Sequence, residues 1–286
     1  MEQDKQEKMS KNKIRGTIYV LISAICFSTG GILIKLIPWS SMTIQGVRSI
    51  LAIPVIAGFM LIRHQRFVWN KTVILGAAFN TVMALSFVAA TKITTAANAI
   101  VLQFTEPVFV ILLMWLIYKK KPGKDAVAAC IVVLMGILCF FSESLGGGAM
   151  VGNLLAILAG FTYALVMMMK KFDGADFESS LIVSNVISFV ISIPFCTKET
   201  EFSMEIWLCM LILGVVQYGF AYIFLSKGLD SVSPVTASLT STIEPILNPV
   251  LVAIFYKETI SIVAIIGAIL VVGAATVYNV RQSLKS

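Results

Sequence analysis

The sequence predicts an all-α membrane protein: ten transmembrane helices arranged as two inverted five-helix repeats. Three observations predict it. Apolar residues fill 58% of the 286 positions and charged residues only 13%, with no polar block long enough for a soluble domain. The apolar residues gather into runs near the roughly 20 residues that a helix needs to cross a bilayer. One unusual dipeptide also occurs twice at mid-run, as Glu106-Pro107 in QFTEPVFVILLMWLIYKK and Glu244-Pro245 in TSTIEPILNPVLVAIFYKE. Each copy is followed at the end of its run by Tyr-Lys, Tyr118-Lys119 and Tyr256-Lys257.

Taken in order, residues 1–15 read as a solvated tail. Ten runs follow, at 16–37, 43–62, 72–91, 96–117, 125–141, 151–170, 179–196, 206–226, 234–255 and 261–279, and 280–286 is a second tail. Cys26, Cys130, Cys139, Cys196 and Cys209 are scattered through the runs with no paired spacing, as small buried hydrophobes rather than a disulfide or metal framework. With the connections numbered alternately, the tails and one set of loops hold 17 Lys and Arg, while the other set holds 3: Lys92, Lys198 and Lys257. Cytoplasmic loops collect positive charge, so both termini are expected in the cytoplasm of a multi-pass cytoplasmic-membrane protein. The net charge of +7 has the same origin and points to no nucleic acid. Trp39, Trp69, Trp115 and Trp207 fall near run ends, as an interfacial belt requires.

The repeat follows from sliding residues 76–121 against 214–259 without a gap. Gly76, Ala99, Glu106, Pro107, Tyr118 and Lys119 then meet Gly214, Ala237, Glu244, Pro245, Tyr256 and Lys257. With a slightly smaller shift, Gly16 and Lys35 meet Gly152 and Lys171. Runs one to five (16–141) therefore resemble runs six to ten (151–279). Five is odd, so the second copy enters the membrane from the opposite side, the usual architecture of secondary transporters.

The candidate pathway residues follow from the cost of polar groups in lipid. An ionisable carboxyl at mid-span must face a cavity or a partner, and a proline leaves the carbonyl four residues back unbonded, here those of Gln103 and Ser241. At helical spacing Glu244 is joined by Thr240, Ser241 and Asn248, a polar stripe suited to orienting a substrate or to gluing helices together. Pro245 and Pro249 should bend or loosen this run near its middle. Glu106 has Gln103 on its face and otherwise apolar neighbours, and since burial penalises the charged form, it is the candidate for taking up and releasing a proton or else a permanently protonated group hydrogen-bonded to a neighbouring helix. Asn80 and Tyr218 are equivalent under the repeat. Tyr218, Tyr222 and Ser226 share a face beside Gln217, which suits an organic solute with an apolar body and a polar handle or else a packing seam. Arg48 lies too deep in its run to reach water fully and needs a partner: Glu106, Glu244, a helix C-terminus or a substrate anion. Ser184, Ser188 and Ser192 form a small-residue stripe for close helix packing.

These features together (ten runs, a five-plus-five repeat, Arg48 in VRSILAIPVIA, and Glu-Pro in the fourth and ninth runs followed by IFYKE) resemble the drug/metabolite transporter superfamily in its EamA type. The resemblance spans nearly the whole chain. It implies a carrier for small organic metabolites, in many cases an exporter, and it implies a structural ion pair for Arg48. Lys257-Glu258 matches the family's acidic residue after the fourth span of a repeat, whereas the first copy departs from it with Lys119-Lys120-Lys121.

Enzyme chemistry is not expected. The single histidine, His64, lies in a loop, all five aspartates lie in tails or loops, and there is no phosphate-binding glycine motif. No cofactor and no metal site is expected. The expected partners are the bilayer, a small-molecule substrate and protons, with export across the cytoplasmic membrane. The alternatives are an exchanger of sugar phosphates or nucleotide sugars and, less in keeping with the missing intramembrane His and Asp, a membrane-embedded transferase.

Overall fold

The computed structural model describes residues 2–94, 96–141, 150–247 and 262–284. Among them all regular structure is helical. α1 runs Glu2–Ser28, α2 Gly30–Leu36, α3 Ser41–Ile62, α4 Lys71–Ile93, α5 Ala96–Gln103, α6 Glu106–Tyr118 and α7 Lys124–Phe141. In the second half α8 runs Met150–Met168 and ends in a 3-10 turn, α9 runs Phe177–Cys196 and α10 runs Met204–Leu211. α10 continues as a π-helical stretch, Ile212–Phe220, into α11, Ala221–Leu229; α12 is Pro234–Ser241 and α13 is Ile262–Leu284. α1 starts at Glu2, so the expected tail is largely helix; no proline or glycine interrupts residues 2–15.

The starts of the helices are written locally. Ser40, Asn70, Asp176, Ser203 and Ser233 each accept the backbone N–H three residues on. This satisfies donors that the first turn leaves open. Six segments are long and apolar enough to cross a membrane: Lys11–Leu36, Ser41–Ile62, Lys71–Ile93, Met150–Lys171, Phe177–Cys196 and Met204–Leu229. The run at 96–117 is split at Phe104–Thr105 into α5 and α6, and the run beginning at 234 is split at Thr242–Ile243. In both, helix resumes at the glutamate of Glu-Pro, with the proline in the first turn, where its missing N–H costs nothing. Pro249, Asn248, Tyr256 and Lys257 lie outside the described residues.

The surface is apolar, and polar and charged groups are buried within an apolar core, unlike a soluble fold. Leu61, Ile157, Val190, Leu208 and Ile266 are exposed, while Arg48, Asn80, Glu106, Glu178 and Gln217 are buried. Helices of the two halves pack in pairs: α1 on α11, α3 on α9, α4 on α8, α6 on α12 and α7 on α13. The serine stripe of α9 does what its spacing suggests, because a Cβ added to Gly46 of α3 would lie 1.6 Å from Ser192 Oγ. Gly160 of α8 seals the break between α5 and α6: a Cβ there would sit 2.5 Å from the Gln103 carbonyl oxygen, the acceptor that Pro107 cannot serve.

Candidate functional site

The breaks and the π-helical stretch bring one set of side chains to the middle of the molecule. A small cavity of about 20 Å³ is lined by Arg48 (α3), Gln103 (α5), Gln217, Tyr218 and Tyr222 (the π-helical stretch and α11), and Glu244. Phe27, Met83, Phe87 and Tyr163 complete the wall. Arg48, only 2% exposed, donates from Nε to Gln45 Oε1 at 2.7 Å and from a terminal nitrogen to Gln217 Oε1 at 3.3 Å. Its guanidinium lies 4.7 Å from the centre of the Tyr218 ring. Among the described residues no carboxylate lies within ion-pair distance of it, so the expected pairing with Glu106 or Glu244 is not made; amide oxygens and an aromatic face take its place. Tyr218 is fixed from behind, since Asn80 Nδ2 donates to its hydroxyl at 3.0 Å and to Ser184 Oγ at 2.9 Å. Asn80 thus supports the wall without lining it, and the two residues that the repeat made equivalent touch each other.

The walls are aromatic. Tyr222 meets Tyr218 and Phe27 edge to face at 4.9 and 5.1 Å, and Phe27 meets Tyr163 at 6.4 Å. Sequence reasoning missed Phe27, Met83, Phe87 and Tyr163. Tyr163 had a usable signal, since a tyrosine at mid-span is out of place in an interfacial belt.

The two glutamates are placed differently. Glu244 lines the cavity at 8% exposure, and no described residue hydrogen-bonds its carboxylate. Glu106 is fully buried outside the lining and accepts from Ser238 Oγ of α12 at 2.7 Å, while its other oxygen has no hydrogen-bond partner among the described residues. The stripe assigned to Glu244 by helical spacing therefore needs correction. The break at Thr242–Ile243 ends the register, and Thr240 instead donates to the Thr236 carbonyl and accepts from Asn279. Ser241 is buried away from the lining.

Polar contacts link helices, as closures, toward both ends of the molecule, and at the end of Lys13 and Val280, here the proximal end, they border an open hollow lined by Gln65, Lys170, Asp176, Glu178 and Asp230. At the end away from Lys13 and Val280, here the distal end, Lys35 of α2 donates to the Thr94 carbonyl at 3.0 Å and Lys92 of α4 donates to the Ile37 carbonyl. Each lysine thus caps the C-terminus of the other's helix, where the dipole favours a cation. At the proximal end Lys170 donates to the Ser226 carbonyl at 2.7 Å and pairs with Asp230 at 2.5 Å. Gln65 bridges Asp176 and Glu178 at 2.8 and 3.1 Å, and Ser226 donates to the buried Glu178.

Charged and hydrogen-bonding groups thus meet an aromatic wall in the interior of the molecule, between interhelical contacts made of single hydrogen bonds and ion pairs. The pattern of the EamA-like transporter family matches residues 14–142 and again 150–280. The chain belongs to the EamA-like transporter family. It is therefore a membrane protein of a transporter family. An uncharacterized transporter of Clostridium kluyveri is 24% identical over 95% of both chains. Human solute carrier family 35 member G1 is 22% identical over 95% of this chain and 80% of its own. GDP-fucose transporter 1 of Dictyostelium discoideum is 23% identical over 61% of this chain and 50% of its own. One solved crystal structure superposes with a TM-score of 0.74 over 93% of this chain and 97% of that one, at 17% identity, a likeness of fold alone.

Proposed function

We propose that this EamA-like protein is a ten-span secondary carrier of two inverted repeats, 16–141 and 151–279, which exports small organic solutes across the cytoplasmic membrane in exchange for protons. Both termini are cytoplasmic, so the proximal end faces the cytoplasm. The helix pairing supports the repeat reading. Exchanging each segment for the one five further on turns the contact of α1 with α11 into that of α8 with α4, and it leaves the pairs α3–α9, α6–α12 and α7–α13 unchanged. That is the behaviour of a two-fold axis lying in the membrane plane.

The observation that carries the functional reading is that buried Arg48 and Glu244 share one small aromatic-walled cavity in the interior, with polar interhelical contacts at either end. A carrier must expose one site to each side in turn, and weak closures allow this. Glu244, facing the cavity without a hydrogen-bond partner among the described residues, is the carboxyl that can hold either a proton or a polar group of the solute, and not both. Glu106, outside the lining and tied to Ser238, positions α12 beneath it. This moves the coupling role from Glu106, where neighbours in sequence put it, to Glu244. The exchange of nucleotide-linked sugars has one relative's name in its favour, and Arg48 as the single cation among the described lining residues against it.

The test is a thermal-shift screen of purified protein against amines, amino acids, nucleosides and sugar phosphates, followed by counterflow of the stabilising solute in liposomes. The expected result is stabilisation by one class and accumulation driven by a pH gradient. Conversion of the solute into a new compound, with no movement across the bilayer, would overturn the carrier reading.

A further inference from the structure

Span eight, Met204–Leu229, is wound in two ways. It is α-helical at both ends and π-helical over Ile212–Phe220. At the close of the stretch the Ala221 N–H donates to the carbonyl of Val216, five residues back rather than four. Such winding is rare and sits mostly at functional sites. Here it is fitted to α3. Gly214 and Gly219 both face that helix: a Cβ added to Gly214 would lie 2.4 Å from Leu51 Cβ, and one added to Gly219 would lie 2.9 Å from Val55 Cβ. Residues five apart share a face only under π winding, since α winding, at about 100° per residue, sets them about 140° apart. From Gly214, α winding would instead bring Tyr218 toward Val55, where the space admits only glycine. The counterpart span shows the converse. Under the repeat Gly219 meets Thr81 of α4, and α4 is α-helical throughout. α3 is itself loosened at this level, because Pro54 leaves the Ile50 carbonyl without its helical bond.

This one span makes two sets of polar contacts. Within the stretch, Gln217 accepts from the buried Arg48 guanidinium and the Tyr218 ring lies against it. Beyond the stretch, in α11, Ser226 donates to Glu178, while the Ser226 carbonyl and Asp230 receive Lys170. The extra residue in the π turn lets the helix reach both sets at once. Rewinding that turn as α would rotate α11 by about 100° against α10. Ser226 and Asp230 would then leave Glu178 and Lys170. A buried guanidinium short of an acceptor is costly, so the hold of Arg48 on Gln217 favours the π register.

We propose that the π stretch of span eight is a register switch that couples the hold on Arg48 to the contacts at the proximal end. π winding keeps both, and α winding, reached when α3 draws back from the two glycines, releases both. A solute that takes the Arg48 donors from Gln217 thereby loosens the proximal end. That last step rests on the carrier reading; the coupling within the chain does not.

The test is hydrogen–deuterium exchange of the full-length protein in lipid nanodiscs, read by mass spectrometry. Gln217→Leu removes an acceptor from Arg48 at mid-span. Exchange should then rise severalfold at the proximal end, in residues 170–180 and 224–231. Gln103→Leu, which alters the cavity lining outside the stretch, should leave those residues unchanged. Deleting Val216 sets the two glycines four apart, the α spacing, so that α10 and α11 keep their places without a π turn. In that background Gln217→Leu should no longer reach the proximal end. Thermal unfolding checks that each variant is folded, and the contrast of Gln217→Leu with Gln103→Leu decides alone if the deletion is not tolerated. A rise confined to residues 30–48 and 212–220, an equal proximal rise with Gln103→Leu, or a response undiminished by the deletion would overturn the switch. Counterflow in liposomes decides the carrier reading independently, so the two can fail separately.

Discussion

Glu106 and Glu244 occupy equivalent places in the two halves, and each restarts a broken helix with a proline behind it. Around Glu106 the break is sealed: Gly160 backbone lies over the Gln103 carbonyl and Ser238 holds the carboxylate. Around Glu244, among the described residues, the carboxylate lines the aromatic cavity, and one residue earlier Ile243 lines a mostly apolar hollow between α1 and α13. The same motif is therefore sealed and hydrogen-bonded in one half and lines the cavity in the other. The lesson is that the proline sets the backbone, which both copies need, and the neighbours set the chemistry, which only one copy exposes. The span ends diverge in the same way. Lys92 caps a helix at the distal end, whereas Asp230, its equivalent under the repeat, pairs with Lys170 at the proximal end.

The largest expected effect tests the sealed break. Gly160→Val puts a branched side chain where a Cβ alone would meet a carbonyl oxygen, and the backbone must move. We expect a loss of about 3 kcal/mol, read as a lower midpoint of denaturant unfolding in detergent. An unchanged midpoint would mean that the span-four break is as open as the span-nine break.

Ser238→Ala comes next. It takes away the one hydrogen bond that Glu106 accepts and leaves a buried carboxyl without a partner, at about 1–2 kcal/mol. Glu244→Gln should cost no stability, because no described residue bonds that carboxylate. A double-mutant cycle of Ser238→Ala with Glu106→Gln should show coupling, and the same cycle with Glu244→Gln should not.

The smallest effect concerns the distal closure. Lys92→Met removes a cation from a partly buried helix C-terminus, worth about 1 kcal/mol. That is a shift of about fivefold in the closed population. A cysteine introduced at Phe87 in a background without native cysteines should react correspondingly faster with a water-soluble maleimide. The proximal pair is more exposed, Asp230 at 44%, and exposed ion pairs contribute little. Asp230→Asn should therefore move the equilibrium less.

Much of this was legible in the sequence. The apolar runs pointed to a helical membrane fold, Pro245 pointed to a loosened ninth run, and the shift that aligns the Glu-Pro copies also aligned Asn80 with Tyr218, which touch. What was not legible depended on register. Helical spacing assigned Thr240 and Ser241 to Glu244, but a break at Thr242–Ile243 turns everything before it away. The π-helical stretch places Gln217 and Tyr218 on the cavity with Tyr222 and sends Ser226 to Glu178, and nothing in ILGVVQYGF announces it. Phe27 and Phe87 carry no local signal in the sequence; the packing of α1 and α4 turns them inward.

The central claim is that Glu244, and not Glu106, is the carboxyl exposed to the transport pathway. Dicyclohexylcarbodiimide tests it without knowledge of the solute, because this apolar reagent modifies protonated carboxyls that it can reach inside a membrane protein. After treatment of the protein in liposomes and mass-spectrometric mapping, the adduct is expected on Glu244, absent from Glu106, and lost in Glu244→Gln. An adduct on Glu106 with Glu244 unmodified would contradict the account.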